Sequence, residues 1–152
     1  RRGRRRRRPD RGRLPARRNA WAPHLAPSAD AARWLAPACG LAAFVGHLFP
    51  VTLGFKGGKG VATALGVLAG LAGSLALATA GIWLLTAYVS RYSSAAALAA
   101  AVAAPLLTHW LVGTPEAGAV IIVMAIMLVW KHRDNLRRLL AGTESRIGSK
   151  KQ

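Results

Sequence analysis

Residues 61–90 contain no charged side chain, and nearly all of them are apolar or small. In water such a segment would have to be buried on all sides, which a chain of 152 residues has too little core to do. A bilayer removes the difficulty, because helices pair their own backbone polar groups and lipid takes the place of a core. The pattern recurs: residues 34–53 and 117–130 are mostly apolar, and residues 95–112 are apolar apart from His109. The chain therefore reads as all-α, a polytopic membrane helix bundle.

The charges that interrupt these runs set a topology. Lys56 and Lys59, then Arg91, then the cluster from Lys131 to Arg138 are basic and belong on the cytoplasmic side. Two spans are needed between Arg91 and Lys131, with an outer turn at Gly113–Glu116 whose acid suits that face. Residues 61–90, at about 1.5 Å per residue, are too long for one span and short for two. Two short helices meeting near Gly70–Ser74 resolve this, since Gly70, Gly73 and Ser74 weaken a helix there. With residues 34–53 the count is about five transmembrane helices, rich in the small residues that allow close helix packing.

The first 33 residues are different. They hold twelve of the 22 Lys and Arg residues, with Asp10 and Asp30 as the acids, in low-complexity Arg/Pro/Ala text. Such a segment buries too little apolar surface to offset its ordering entropy. A nucleic-acid-binding arm, a juxtamembrane segment for anionic lipid, and the frameshifted start of a GC-rich gene all yield text of this kind. The last reading is preferred and no nucleic-acid partner is expected, since no aromatics interleave the arginines of residues 1–18. The division is 1–33 as a disordered or misread segment, 34–146 as the transmembrane core and 147–152 as a basic tail. Cys39 is the only cysteine, so neither an intrachain disulfide nor a Cys-cluster metal site is possible.

The sharpest local feature is Lys56-Gly57-Gly58-Lys59-Gly60 before an apolar helix. Glycines let backbone N–H groups turn toward one anion, a helix N-terminus adds partial positive charge, and two lysines add full charges. That is a phosphate cradle. It is not the ATP-binding P-loop pattern, because Leu53 and Gly60 stand where that pattern needs Gly and Ser or Thr. The competing reading is a flexible loop whose lysines only obey the charge rule. His47, near Pro50 at the end of an apolar run, is a second candidate, against a plain capping role. His132 and Asn135, three apart, share a helix face at the membrane boundary, where a soluble phosphorylated substrate meets a lipid-borne one. The plainer alternative is an interfacial helix whose Arg133, Arg137 and Arg138 hold lipid head groups, with Asp134 pairing along it. Glu144 reads as structural, paired with an arginine, and His109 as structural. No Ser-His-Asp set, carboxylate pair or metal cluster stands out.

Gly46-His47-Leu48-Phe49-Pro50 followed by Phe55-Lys56-Gly57-Gly58-Lys59-Gly60-Val61-Ala62-Thr63 closely resembles the second motif of the acyl-phosphate-dependent glycerol-3-phosphate acyltransferases. The segment Lys131-His132-Arg133-Asp134-Asn135-Leu136-Arg137-Arg138, continuing to Glu144, is similar to their third. The resemblance implies a seven-helix enzyme of the bacterial inner membrane with its motifs and C-terminus in the cytoplasm. It implies transfer of an acyl group from acyl phosphate to glycerol 3-phosphate, giving lysophosphatidic acid and phosphate, in membrane lipid and with no cofactor. By the same resemblance Lys56, Gly57, Gly58, Lys59 and Gly60 bind phosphate, His132 and Asn135 serve activity with Lys59, and Glu144 serves integrity. Nothing in residues 1–33 resembles the family's first motif, with its Ser and Arg, and two helices are missing. The expectation is a truncated or frameshifted member whose own activity is lost. The rival classes are a transporter or channel for a phosphorylated solute, which uses broken helices in the same way, and a basic membrane anchor.

Overall fold

The computed structural model describes residues 28–149. The arginine-rich text up to residue 27 and the last residues of the basic tail lie outside that range. Six α-helices follow one another: α1 (Ala29–Leu48), α2 (Val61–Leu71), α3 (Gly73–Ser90), α4 (Ser93–Leu111), α5 (Pro115–Lys131) and α6 (Arg133–Leu140). The first five are the apolar segments expected above.

The first helix begins ahead of Trp34, so residues 28–33 belong to it rather than to a disordered segment. The reason is local. The Ser28 hydroxyl oxygen accepts a hydrogen bond from the Ala31 backbone N–H at 3.2 Å, and Asp30 places negative charge in the first turn. After α1 a short 3-10 turn, Val51–Leu53, leads into the glycine loop.

The break expected near Gly70–Ser74 falls at Ala72, whose backbone is extended (φ −162°, ψ 128°). The two helices it separates are unequal. α3 has 18 residues, enough to cross a bilayer. α2 has 11, about 16 Å at the helical rise, and reaches only partway. Among the described residues three segments are long and apolar enough to span: Ala29–Leu53, α3 and α4. A fourth follows if α5 is taken with α6, which turns away from it by 57°. The expected count of about five spans therefore becomes three or four full spans and one half-span. Glycine and proline set the turn between α4 and α5: Gly113 takes a left-handed φ of 71° and Pro115 opens α5.

The core is of two kinds. Phe44, Leu48, Leu75, Ile121 and Met124 form its bulky part, between α1, α2, α3 and α5. α4 contributes a face of alanines instead, Ala96, Ala97, Ala100, Ala101 and Ala104, set against α3 and α5. Small side chains bring those backbones close, which is how helices gain contact in lipid. Ala96 is fully buried whereas Val102 is 65% exposed. Ala96→Leu is therefore expected to cost about 1–3 kcal/mol by overpacking. Val102→Leu should be near neutral. Thermal unfolding of both variants in detergent micelles checks this.

Candidate active site

The basic interruptions come together at one end of the bundle. Lys131 Nζ donates to the Leu48 carbonyl at 2.9 Å, tying α5 to the end of α1. The segment after α6 returns to the α3–α4 connection, where the Ile147 N–H donates to the Arg91 carbonyl at 2.7 Å. Arg146 Nε donates to the Tyr92 hydroxyl at 3.2 Å beside that contact.

The bundle also holds a cavity of about 690 Å³. Its rim is polar: Lys59, Ser93, Ser94, His132, Asn135, Glu144 and Ser145. Its depth is apolar, walled by Leu65 and Leu68 of α2, Ala80 and Leu84 of α3, Ala97 to Ala104 of α4 and Leu128 of α5. From Ser94 to Ala104 the α4 wall runs about 15 Å into the bundle. A charged rim over an apolar shaft suits an anionic head group with an alkyl chain beneath it.

The glycine loop meets this cavity through Lys59, an exposed side chain at the rim. Its glycines look the other way, toward α1. A Cβ on Gly57 would collide with the His47 carbonyl oxygen and stand 2.6 Å from the Leu48 carbonyl oxygen. One on Gly58 would lie 2.5 Å from His47 Nε2, and one on Gly60 2.5 Å from Phe44 Cε2. Gly60 also takes a left-handed φ of 80° as it opens α2. The run of small residues is thus required by close approach to α1, and that approach carries Lys59 to the cavity. His47 supports the loop but does not line the cavity, and neither does the exposed Lys56.

His132 and Asn135 are buried and both line the cavity, Asn135 from α6 and His132 from the bend between α5 and α6 rather than from one shared helix face. His132 Nδ1 lies 2.9 Å from the Leu128 carbonyl oxygen. A carbonyl only accepts, so Nδ1 holds the proton, and in the neutral ring Nε2 keeps the lone pair. Asn135 Nδ2 donates to Glu144 Oε1 at 2.6 Å, which turns its Oδ1 away from the carboxylate.

Glu144 holds the rim together. Oε1 also accepts from Ser94 Oγ at 2.7 Å, and Oε2 from Arg138 Nε at 2.7 Å. The carboxylate side chain is 7% exposed. Burial alone would raise its pKa, but the hydrogen bonds from Ser94, Asn135 and Arg138, with the Arg138 charge, outweigh burial and pull it down to about 2. The arginine pairing expected of Glu144 is present. Asp134 pairs at 3.4 Å with Arg137, on the exposed side of α6.

Ser93 and Ser94 carry no motif signal of their own in a single chain, and Lys131, which opens the third motif, was given no separate role. Ser94 could have been suspected only as a hydroxyl opening α4 beside the basic Arg91. Its partner is 50 positions away.

The site is thus an apolar cavity under a polar rim, at the basic end of a bundle of apolar helices long enough to span a membrane. Residues 18–142 match the model of the glycerol-3-phosphate acyltransferase family, and the chain belongs to that family. A glycerol-3-phosphate acyltransferase of Mesorhizobium japonicum is 55% identical over 127 residues, covering 84% of this chain and 62% of that protein. Two crystal structures of PlsY, an integral membrane glycerol 3-phosphate acyltransferase, are also similar. Its glycerol 3-phosphate form gives a TM-score of 0.73 at 40% identity over 76% of this chain and 57% of that one. Its lysophosphatidic acid form gives 0.71 at 41% over 74% and 58%. The chain thus spans little more than half the length of these relatives.

Two substitutions test the geometry. Gly57→Ala meets backbone carbonyls that cannot turn aside, so it should displace the loop. Gly58→Ala meets only the tip of the His47 side chain and should be tolerated once His47→Ala is added; limited proteolysis at the loop reads both. Glu144→Gln should lower stability at pH 7 by about 1–3 kcal/mol. The folded pKa is depressed from an unfolded value of about 4.3. The carboxylate's contribution is therefore full above that value and lost as pH falls toward about 2. Unfolding midpoints from pH 7 to pH 2 should fall less steeply at the acid end for Glu144→Gln than for the wild type.

Proposed function

We propose that this cavity is the active site for acyl transfer from acyl phosphate to glycerol 3-phosphate, giving lysophosphatidic acid and inorganic phosphate in phospholipid synthesis. The observation that carries the reading is one cavity that joins Lys59, the α4 serines, His132 and Asn135 to an apolar shaft. The shaft takes the alkyl chain, and the rim takes phosphate. The glycerol 3-phosphate and lysophosphatidic acid forms of the similar PlsY structures name an acceptor and a product of this kind.

The chemistry asks little beyond placement. The glycerol hydroxyl oxygen bonds to the acyl carbon, the bond from that carbon to the phosphate oxygen breaks, and phosphate departs with the electron pair. Phosphate is a good leaving group, so positioning and charge stabilisation supply most of the acceleration. Lys59 offsets phosphate charge at the start of α2, with Ser93 as a hydroxyl donor, since the Ser94 proton is held by Glu144. The hydroxyl proton goes to His132 Nε2, which lacks one in the neutral ring, or to the substrate's own phosphate. Asn135, oriented by Glu144, polarises or positions. The basic end faces the cytoplasm of a bacterial inner membrane, where the soluble acceptor is found.

Phosphate release from acyl phosphate, with and without glycerol 3-phosphate, tests the reading in membranes carrying the chain and in a version completed with a family-like N-terminal segment. Acceptor-dependent release is expected from the completed version. Lys59→Ala should lower it about 100-fold or more with insertion intact. His132→Gln should lower it by about 100-fold. Undiminished turnover in Lys59→Ala would refute the phosphate role, and acceptor-dependent solute uptake without phosphate release would favour a transporter.

A further inference from the structure

We infer that Lys131 is a positioning residue that sets the place of Lys59 by locking the end of α1 beneath the glycine loop. The inference rests on the reading of Lys59 as a phosphate-binding group. The two side chains sit on different elements, and Lys131 is not among the residues lining the cavity.

The chain of contacts is short. Lys131 Nζ donates at 2.9 Å to the Leu48 carbonyl, one of the carbonyls that the end of α1 leaves without a helical partner. A cation at that position also meets the negative end of the helix dipole. The same ammonium stands 4.5 Å from the centre of the Phe49 ring and 5.8 Å from that of Trp130. Phe49 and Trp130 are themselves 6.2 Å apart, so a charge and two aromatic faces clamp α1 to α5. The Leu48 carbonyl oxygen that Lys131 holds is also the atom against which Gly57 packs. Gly58 rests on the neighbouring His47 and Gly60 on Phe44 and Leu48. Lys59 lies between Gly58 and Gly60, so the platform that Lys131 fixes is the platform that aims Lys59.

Geometry makes Lys131 hard to replace with an apolar residue at this point. Without the ammonium the Leu48 carbonyl loses its partner in a half-buried place. The end of α1 can then relax, and the loop, held only by close packing of glycines, relaxes with it. An arginine retains the charge and several donors, so it can reach the same carbonyl.

The test uses Lys131→Met, which keeps an unbranched apolar stem, and Lys131→Arg. A lysine-specific protease acts on the purified chain in detergent micelles, and cleavage after Lys56 and Lys59 is timed. Lys131→Met is expected to speed that cleavage about tenfold, the effect of losing one such hydrogen bond, with Lys131→Arg near wild type. Thermal unfolding of the same samples should show the bundle still folded. A second readout uses turnover in the completed enzyme. Lys131→Met should lower it about tenfold alone and add nothing in a Lys59→Ala background. Unchanged loop cleavage in Lys131→Met overturns the inference, as do additive losses in the double variant. If Lys59→Ala turns over fully, the phosphate reading fails, and the protease result still decides whether Lys131 holds the loop.

Discussion

Three donors converge on the carboxylate of Glu144, and the shape of the rim depends on that convergence. Ser94 comes from the start of α4, Asn135 and Arg138 from α6, and the acceptor from the segment that follows α6. Such an arrangement stabilises only as a unit. Removing the carboxylate leaves a serine, an amide and a guanidinium without their partner at the edge of an apolar cavity, which costs more than the bonds themselves contribute. It also explains how an eight-residue helix, far too short to be stable alone, holds Asn135 in a fixed position. The residue is structural in what it touches and functional in what it keeps in place.

The same economy appears on the other side of the cavity. α2 is a half-span, and its N-terminus opens at the rim rather than in solvent. A glycine run is the device that puts it there. Larger residues at Gly57 or Gly60 would push the loop off α1, and Lys59 would move with it. The positive φ of Gly60 completes the turn into the helix. The motif therefore carries two demands in five residues: close packing behind and charge in front. The apolar shaft below needs neither, and is walled mostly by leucine and alanine, with Val61, Thr79 and Trp83 among them.

Much of this was legible in the chain. The uncharged runs identified the helices, and the clustering of small residues at Gly70–Ser74 located the break that the structure puts at Ala72. The spacing of His132 and Asn135 suggested one helix face, whereas His132 sits at the bend ahead of α6, although both side chains are buried. The arginine partner of Glu144 was expected because a lone acid in a basic tail is rarely left unpaired. What was not legible is long-range. Nothing in the text near Gly57 says that its neighbour is the Leu48 carbonyl, or that Lys131, 83 positions on, bonds to the same atom. Ser94 looked like an ordinary helix start. The start of α1 was also missed, because arginine-rich text obscured the Ser28 cap and the acid behind it. Hydropathy marks where helices are, but it does not say which of their ends meet.

The central claim is that phosphate binds at the rim beside Lys59 with the alkyl chain in the shaft below. A crystal structure of the protein with glycerol 3-phosphate bound tests it most directly. Phosphate oxygens are expected within hydrogen-bond distance of Lys59 Nζ and the Ser93 hydroxyl, with the glycerol end toward His132. Phosphate bound away from Lys59, or a rim that stays closed to it while the ligand sits elsewhere, would contradict the account.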